Sequence, residues 1–101
     1  MGKQELKSKI RTAIEEGPLK ESIEKISLFG SYAKDSAKVD SDVDLLVEFS
    51  PDAVIGFFSL IDLKEHIEKA VGKPIDLLTP DAISKYLKKD IMSQSDLIYE
   101  R

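Results

Sequence analysis

The chain has 101 residues, 42% hydrophobic and 34% charged, with 19 acidic against 15 basic side chains and a net charge of −4. That length suits one small domain around one core, so residues 1–101 are expected to form a single domain with no separate substrate-binding unit. The acidic balance argues against direct DNA binding, no apolar run approaches the roughly 20 residues of a membrane span, and zero cysteines exclude disulfides and thiolate chemistry.

The first residues, Met1 to Leu6, lack the apolar stretch of a signal peptide, and Leu6 stands where a myristoylation motif wants Ser or Thr. A cytoplasmic protein is expected. Leu6, Ile10, Ala13 and Ile14 recur at helical spacing among charges, and Gly17-Pro18 breaks that helix. Ile26 to Phe29 reads as a first strand running straight into Gly30-Ser31. Ser31 is a good N-cap for a short helix. After a polar, turn-like stretch comes a second strand, Val43 to Phe49, whose Leu45-Leu46-Val47 run predicts cover on both faces. Leu60, Leu63, Ile67, Ala70 and Val71 mark another helix that stops at Gly72, with Phe57 and Phe58 ahead of it read as core. Residues 73–78 form a third strand, and Thr79-Pro80 is expected to open a last helix buried through Ile83, Leu87 and Ile91. Leu97 to Tyr99 closes the chain as a short strand. The fold class is therefore α/β (α+β), a small mixed sheet of three or four strands flanked by helices. Its first two strands are antiparallel, and residues 43–78 make a parallel, right-handed crossover.

The chemistry concentrates between residues 30 and 44. Ten residues separate Gly30-Ser31 from Asp42-Val43-Asp44. Side chains two apart on a strand share a face, so Asp42 and Asp44 project together. Two carboxylates side by side repel unless a cation lies between them. Mg²⁺ takes one or two carboxylates and completes its shell with water and phosphate oxygens. Gly30 lets backbone approach a ligand closely, and a helix starting at Ser31 aims free N–H groups at a phosphate. A metal–nucleotide site is the reading, although Asp40-Ser41-Asp42 taken alone also suits an ordinary loop end.

Gly30-Ser31, Asp42-Val43-Asp44-Leu45-Leu46-Val47 and Pro74-Ile75-Asp76-Leu77-Leu78-Thr79-Pro80, in that order, resemble the DNA polymerase β-like nucleotidyltransferase superfamily. The short chain is most similar to its minimal nucleotidyltransferase (MNT) branch. The resemblance covers roughly residues 6–101 and implies the polymerase β-like nucleotidyltransferase fold. It implies that Gly30, Ser31 and Lys34 hold the triphosphate of ATP. It also implies that Asp42, Asp44 and Asp76 ligate two Mg²⁺ ions, with Asp76 able to take a proton from the attacking hydroxyl. Members of this branch are antitoxins paired with a small HEPN-domain toxin, to which they transfer AMP on a tyrosine. The implied function is thus Mg²⁺-dependent adenylylation of a HEPN partner in a hetero-oligomer. Two alternatives stand beside it: an antitoxin of weak or absent activity that neutralises by binding, and a small-molecule adenylyltransferase with a separate acceptor-binding subunit. This chain departs from the branch at Lys34-Asp35, where Arg-Gly is usual. Lys meets phosphate as a point charge without a bidentate fork, and Asp35 adds negative charge beside a polyanion site.

Several other residues have plainer readings. Lys34 suits solvent as well as phosphate, and Lys85, Lys88 and Lys89 suit a solvated helix face. Tyr32, Tyr86 and Tyr99 are read as core or rim, and His66, the only histidine, as surface.

Overall fold

A computed structural model describes residues 2–30, 32–33 and 42–101. The expected short helix from Ser31 and the polar stretch up to Ser41 lie outside the described residues. The helices and strands among the described residues are α1 (Lys3–Glu16), β1 (Ile23–Phe29), β2 (Val43–Phe49), α2 (Phe57–Val71), β3 (Ile75–Leu78), α3 (Lys85–Gln94) and β4 (Asp96–Glu100). The strands form one four-stranded sheet in the order β3-β2-β1-β4. β1 runs antiparallel to β2 and to β4, and β2 runs parallel to β3, so the sheet is mixed, as the sequence implies.

The apolar periodicity explains the layers. Leu6, Ile10, Ala13 and Ile14 are all buried on the inner stripe of α1. Leu63, Ile67 and Val71 do the same for α2. Both stripes close on Ile23, Ile26 and Leu28 of β1 and Val43, Leu45 and Val47 of β2. Gly72, in the left-handed region at φ 76°, ends α2 by donating its N–H to the Glu68 carbonyl at 2.7 Å. His66 is half-buried rather than a surface residue: its Nε2 donates to the Ala13 carbonyl at 3.0 Å and ties α2 to α1. A periodic pattern cannot reveal that bond, because its acceptor belongs to another helix's backbone.

The opposite face of the sheet is covered more thinly. Leu46 and Ser27, register partners on β2 and β1, are buried there, and α3 packs against β1. The expected buried stripe of the last helix does not form. Pro80–Ala82 makes a 3₁₀ turn, Ile83 is extended, and the helix begins only after Ser84, whose hydroxyl accepts from the Tyr86 N–H. Ile83 therefore drops out of the helical stripe, and Leu87 is left 56% exposed. Phe57 and Phe58, expected in the core, occupy the first turn of α2 and are exposed, with their rings edge to face at 5.9 Å. The fully buried stripe of α2 starts six residues later, at Leu63, with Leu60 partly buried against the core. Among the described residues no helix is long and apolar enough to cross a membrane.

Candidate active site

Parallel pairing of β2 with β3 decides where the carboxylates go. Val43 is the register partner of Ile75, and Asp44 that of Asp76. Neighbouring strands lie about 4.8 Å apart, so Asp44 and Asp76 stand side by side on the sheet. Side chains alternate, and Val43, Leu45 and Val47 point into the helix-covered core. Asp44 therefore projects from the opposite face, and Asp42, two residues earlier, leans to that side at the strand's entry. On the other flank Asp44 pairs with Phe29, the last residue of β1. Gly30 follows at once, at φ 73°.

Gly30 and Asp44 fit each other so closely that a side chain is excluded. A Cβ built on Gly30 would stand 3.1 Å from the Asp44 Cγ and would overlap its Oδ2. The need for glycine is thus double, from the left-handed backbone and from the adjoining carboxylate. Asp44 is half-buried, whereas Asp42 and Asp76 are exposed. Burial pushes the Asp44 carboxyl above the ordinary carboxylate range, and the Asp76 and Asp42 carboxylates raise it further. All three sequence-predicted acids are therefore electrostatic neighbours. Ser31 and Lys34, the other predicted contacts, lie outside the described residues.

The donor set suits a hard cation. It consists of carboxylate oxygens without nitrogen or sulfur, which is the ligand chemistry of Mg²⁺ rather than of zinc or copper. Mutual repulsion of the three acids is relieved by positive charge among them. Among the described residues, no three Asp, Glu, His or Cys side chains close around a point that would hold a metal ion unaided. The arrangement matches an ion that keeps waters and shares substrate oxygens, as Mg²⁺ does, better than a closed protein cage.

One residue overlooked in the sequence, Lys73, stands near this edge beside Tyr32, which is buried as the core-or-rim reading expects. Lys73, in the turn before β3, places its Nζ 5.9 Å from the centroid of the Tyr32 ring, and Tyr32 is 7% exposed. No spacing rule links residues 32 and 73; only the parallel placement of β3 brings that cation to the Gly30 side. A cleft of about 440 Å³ lies elsewhere among the described residues. It is lined by Phe49, Ile55, Leu60 and Pro80 among others, at the far ends of β2 and β3.

Comparison with known proteins identifies the family and the fold. The family model for polymerase beta nucleotidyltransferases matches residues 9–101. A Methanocaldococcus jannaschii protein, provisionally named a protein adenylyltransferase, is 40% identical over 81 residues, 79% of either chain. The protein adenylyltransferase MntA of Thermococcus cleftensis is 32% identical over 72 residues, 71% of either chain. Among solved structures, one provisionally described as a minimal nucleotidyltransferase superposes with a TM-score of 0.76 at 24% identity, covering 98% of this chain and 96% of the other. An MNT antitoxin complex with a tri-AMPylated HEPN toxin from Shewanella oneidensis gives a TM-score of 0.69 at 20% identity, covering 98% and 73%. At those identities the two structures speak for the fold, while the family model and the sequence relatives speak for descent. On both counts the chain belongs to the polymerase beta nucleotidyltransferase family and is an enzyme of that class.

Proposed function

We propose that the protein transfers AMP from ATP to a tyrosine hydroxyl of a HEPN-domain toxin in the cytoplasm, and so acts as the antitoxin of that partner in a type VII-like pair. The observation that carries this reading is the trio Asp42, Asp44 and Asp76 on adjoining strand ends beside Gly30. The names of its relatives and the AMPylated toxin held by a structural neighbour supply the acceptor class.

The acceptor oxygen attacks the α-phosphorus of ATP, the bond from that phosphorus to the bridging oxygen of the β-phosphate breaks, and pyrophosphate leaves. Asp76, exposed at the sheet edge, receives the hydroxyl proton. Gly30 and Ser31 hold the triphosphate through backbone N–H groups and the Ser31 hydroxyl, with Lys34 as a point charge against phosphate. Asp42, Asp44 and Asp76 would hold two Mg²⁺ ions, which when bound neutralise charge on the attacking and leaving oxygens. Positioning and charge compensation account for the catalysis, each well-placed charge contributing several kcal/mol.

The test uses ATP labelled at the α-phosphate, Mg²⁺ and lysate of the native host, comparing wild type with Asp42→Asn/Asp44→Asn. Label on one small protein band with wild type alone is expected. Equal labelling by the double variant overturns the assignment. A second reading, neutralisation by binding alone, is favoured by Lys34-Asp35, which stand where the branch carries Arg-Gly. It predicts that the double variant still protects cells from the toxin.

A further inference from the structure

The peptide joining Pro74 to Ile75, immediately before Asp76, is gripped on both sides. Its carbonyl accepts from the N–H of Val43 at 3.0 Å, and its N–H donates to Glu68 Oε2 at 3.0 Å. A trans peptide points its C=O and N–H in opposite directions, so the Ile75 N–H faces outward from the sheet. β3 is an edge strand and offers that donor no neighbour. Glu68, in the last turn of α2, supplies the acceptor from its side chain. Its own carbonyl meanwhile accepts from Gly72, so one residue anchors both ends of the turn that delivers β3.

The inner half of the grip matters as much as the outer. Val43 lies between Asp42 and Asp44, so the Pro74–Ile75 peptide is bonded to the very residue that separates them. That rigid peptide is thus bonded to β2 between its two acids, one residue before Asp76. We infer that Glu68 is a positioning residue for the carboxylate trio: it holds the entry of β3 so that Asp76 faces the same cation as Asp42 and Asp44. This rests on the metal role proposed for those acids. It adds a residue eight positions before Asp76 that is itself no ligand of metal or nucleotide.

The experiment uses the full-length chain labelled with ¹⁵N, and reads two quantities on each variant. The first is exchange of the Ile75 amide. The second is Mn²⁺ binding, from paramagnetic broadening of amides around Asp44. Glu68→Ala is expected to speed Ile75 exchange about tenfold or more and to weaken Mn²⁺ about tenfold, the lower end for loss of an outer partner of a metal site. Amides of Leu45 and Val47 should keep their protection. Glu68→Gln, whose amide oxygen still accepts, should restore both readouts. Should Glu68→Ala fail to fold, Glu68→Asp, one methylene too short for the bond, takes its place. Unchanged Ile75 exchange, or unchanged Mn²⁺ affinity despite faster exchange, overturns the inference alone. Absence of Mn²⁺ binding in wild type overturns the metal reading and this inference with it.

Discussion

Asp44→Asn should make the metal-free protein more stable while abolishing transfer. The side chain keeps its shape and loses one charge. Asp44 is half-buried, and its carboxyl is raised first by that burial and then by Asp76 and Asp42. A raised carboxyl opposes folding at pH values where it is ionised, and the cost disappears as it protonates. Taking the Asp44–Asp76 separation as about 5 Å from adjacent register, repulsion is about 1 kcal/mol in fully water-like surroundings and about 3 kcal/mol at an effective dielectric near 20. Asp76 is exposed, which favours the lower figure. A gain of about 1 kcal/mol raises Tm by about 4–8 °C in a chain of this size. The assay is thermal unfolding in low salt with chelator at pH 7, repeated at high salt and at pH 3. Salt should shrink the difference by screening, and acid should remove it because wild-type Asp44 is then protonated. Added Mg²⁺ should raise the Tm of wild type and leave Asp44→Asn nearly unmoved. A lower Tm for the variant at pH 7, or a gain indifferent to salt and pH, would refute the claim that the trio is held against its own repulsion.

Two further outcomes follow from the same structure. Gly30→Ala should cost about 1–2 kcal/mol for the left-handed backbone alone, with added loss from displacing the Asp44 carboxylate. Chemical denaturation and the labelling assay together check it, and wild-type behaviour in both would contradict the close Gly30–Asp44 contact. Asp96 accepts from Lys7 at 2.8 Å and pairs with Lys3 at 3.0 Å, contacts that hold its carboxyl below the ordinary range and fasten β4 to α1. A depressed carboxyl stabilises above its unfolded value, about 3.9, and loses that contribution as pH falls through its folded value. Asp96→Asn should therefore cost about 0.5–1 kcal/mol at pH 7, discounted for its partial exposure, and less at pH 2. Urea unfolding at the two pH values decides the point.

What the sequence made legible was whatever depends on short-range periodicity. Val43–Phe49 matches the expected strand residue for residue, because a run apolar on both faces fits a central strand. The stripe of α1 is likewise complete. Asp42 and Asp44 are legible as a pair because their spacing is local, and Asp76 entered only through the family pattern. Its place beside Asp44 follows from the register of a parallel pair more than thirty residues apart, which no local rule supplies. The exposed Phe57 and Phe58 mark the opposite failure: hydrophobicity was visible, but which residues of α2 reach the core was not.

The same division separates the two kinds of residue at the site. Carboxylates proposed to share a cation must share a face, and the local pair Asp42 and Asp44 leaves that trace in the sequence. Glu68 leaves none, since one more glutamate on a charged helix is ordinary, and only the orphan N–H of an edge strand makes it special. A hydrogen bond made by a backbone donor is satisfied by any acceptor within reach, so the residue type is loosely fixed while the position is tightly fixed. This is why Glu68→Gln should function and Glu68→Asp should not, whereas at Asp44 the requirement is reversed: shape is preserved in asparagine and charge is what matters.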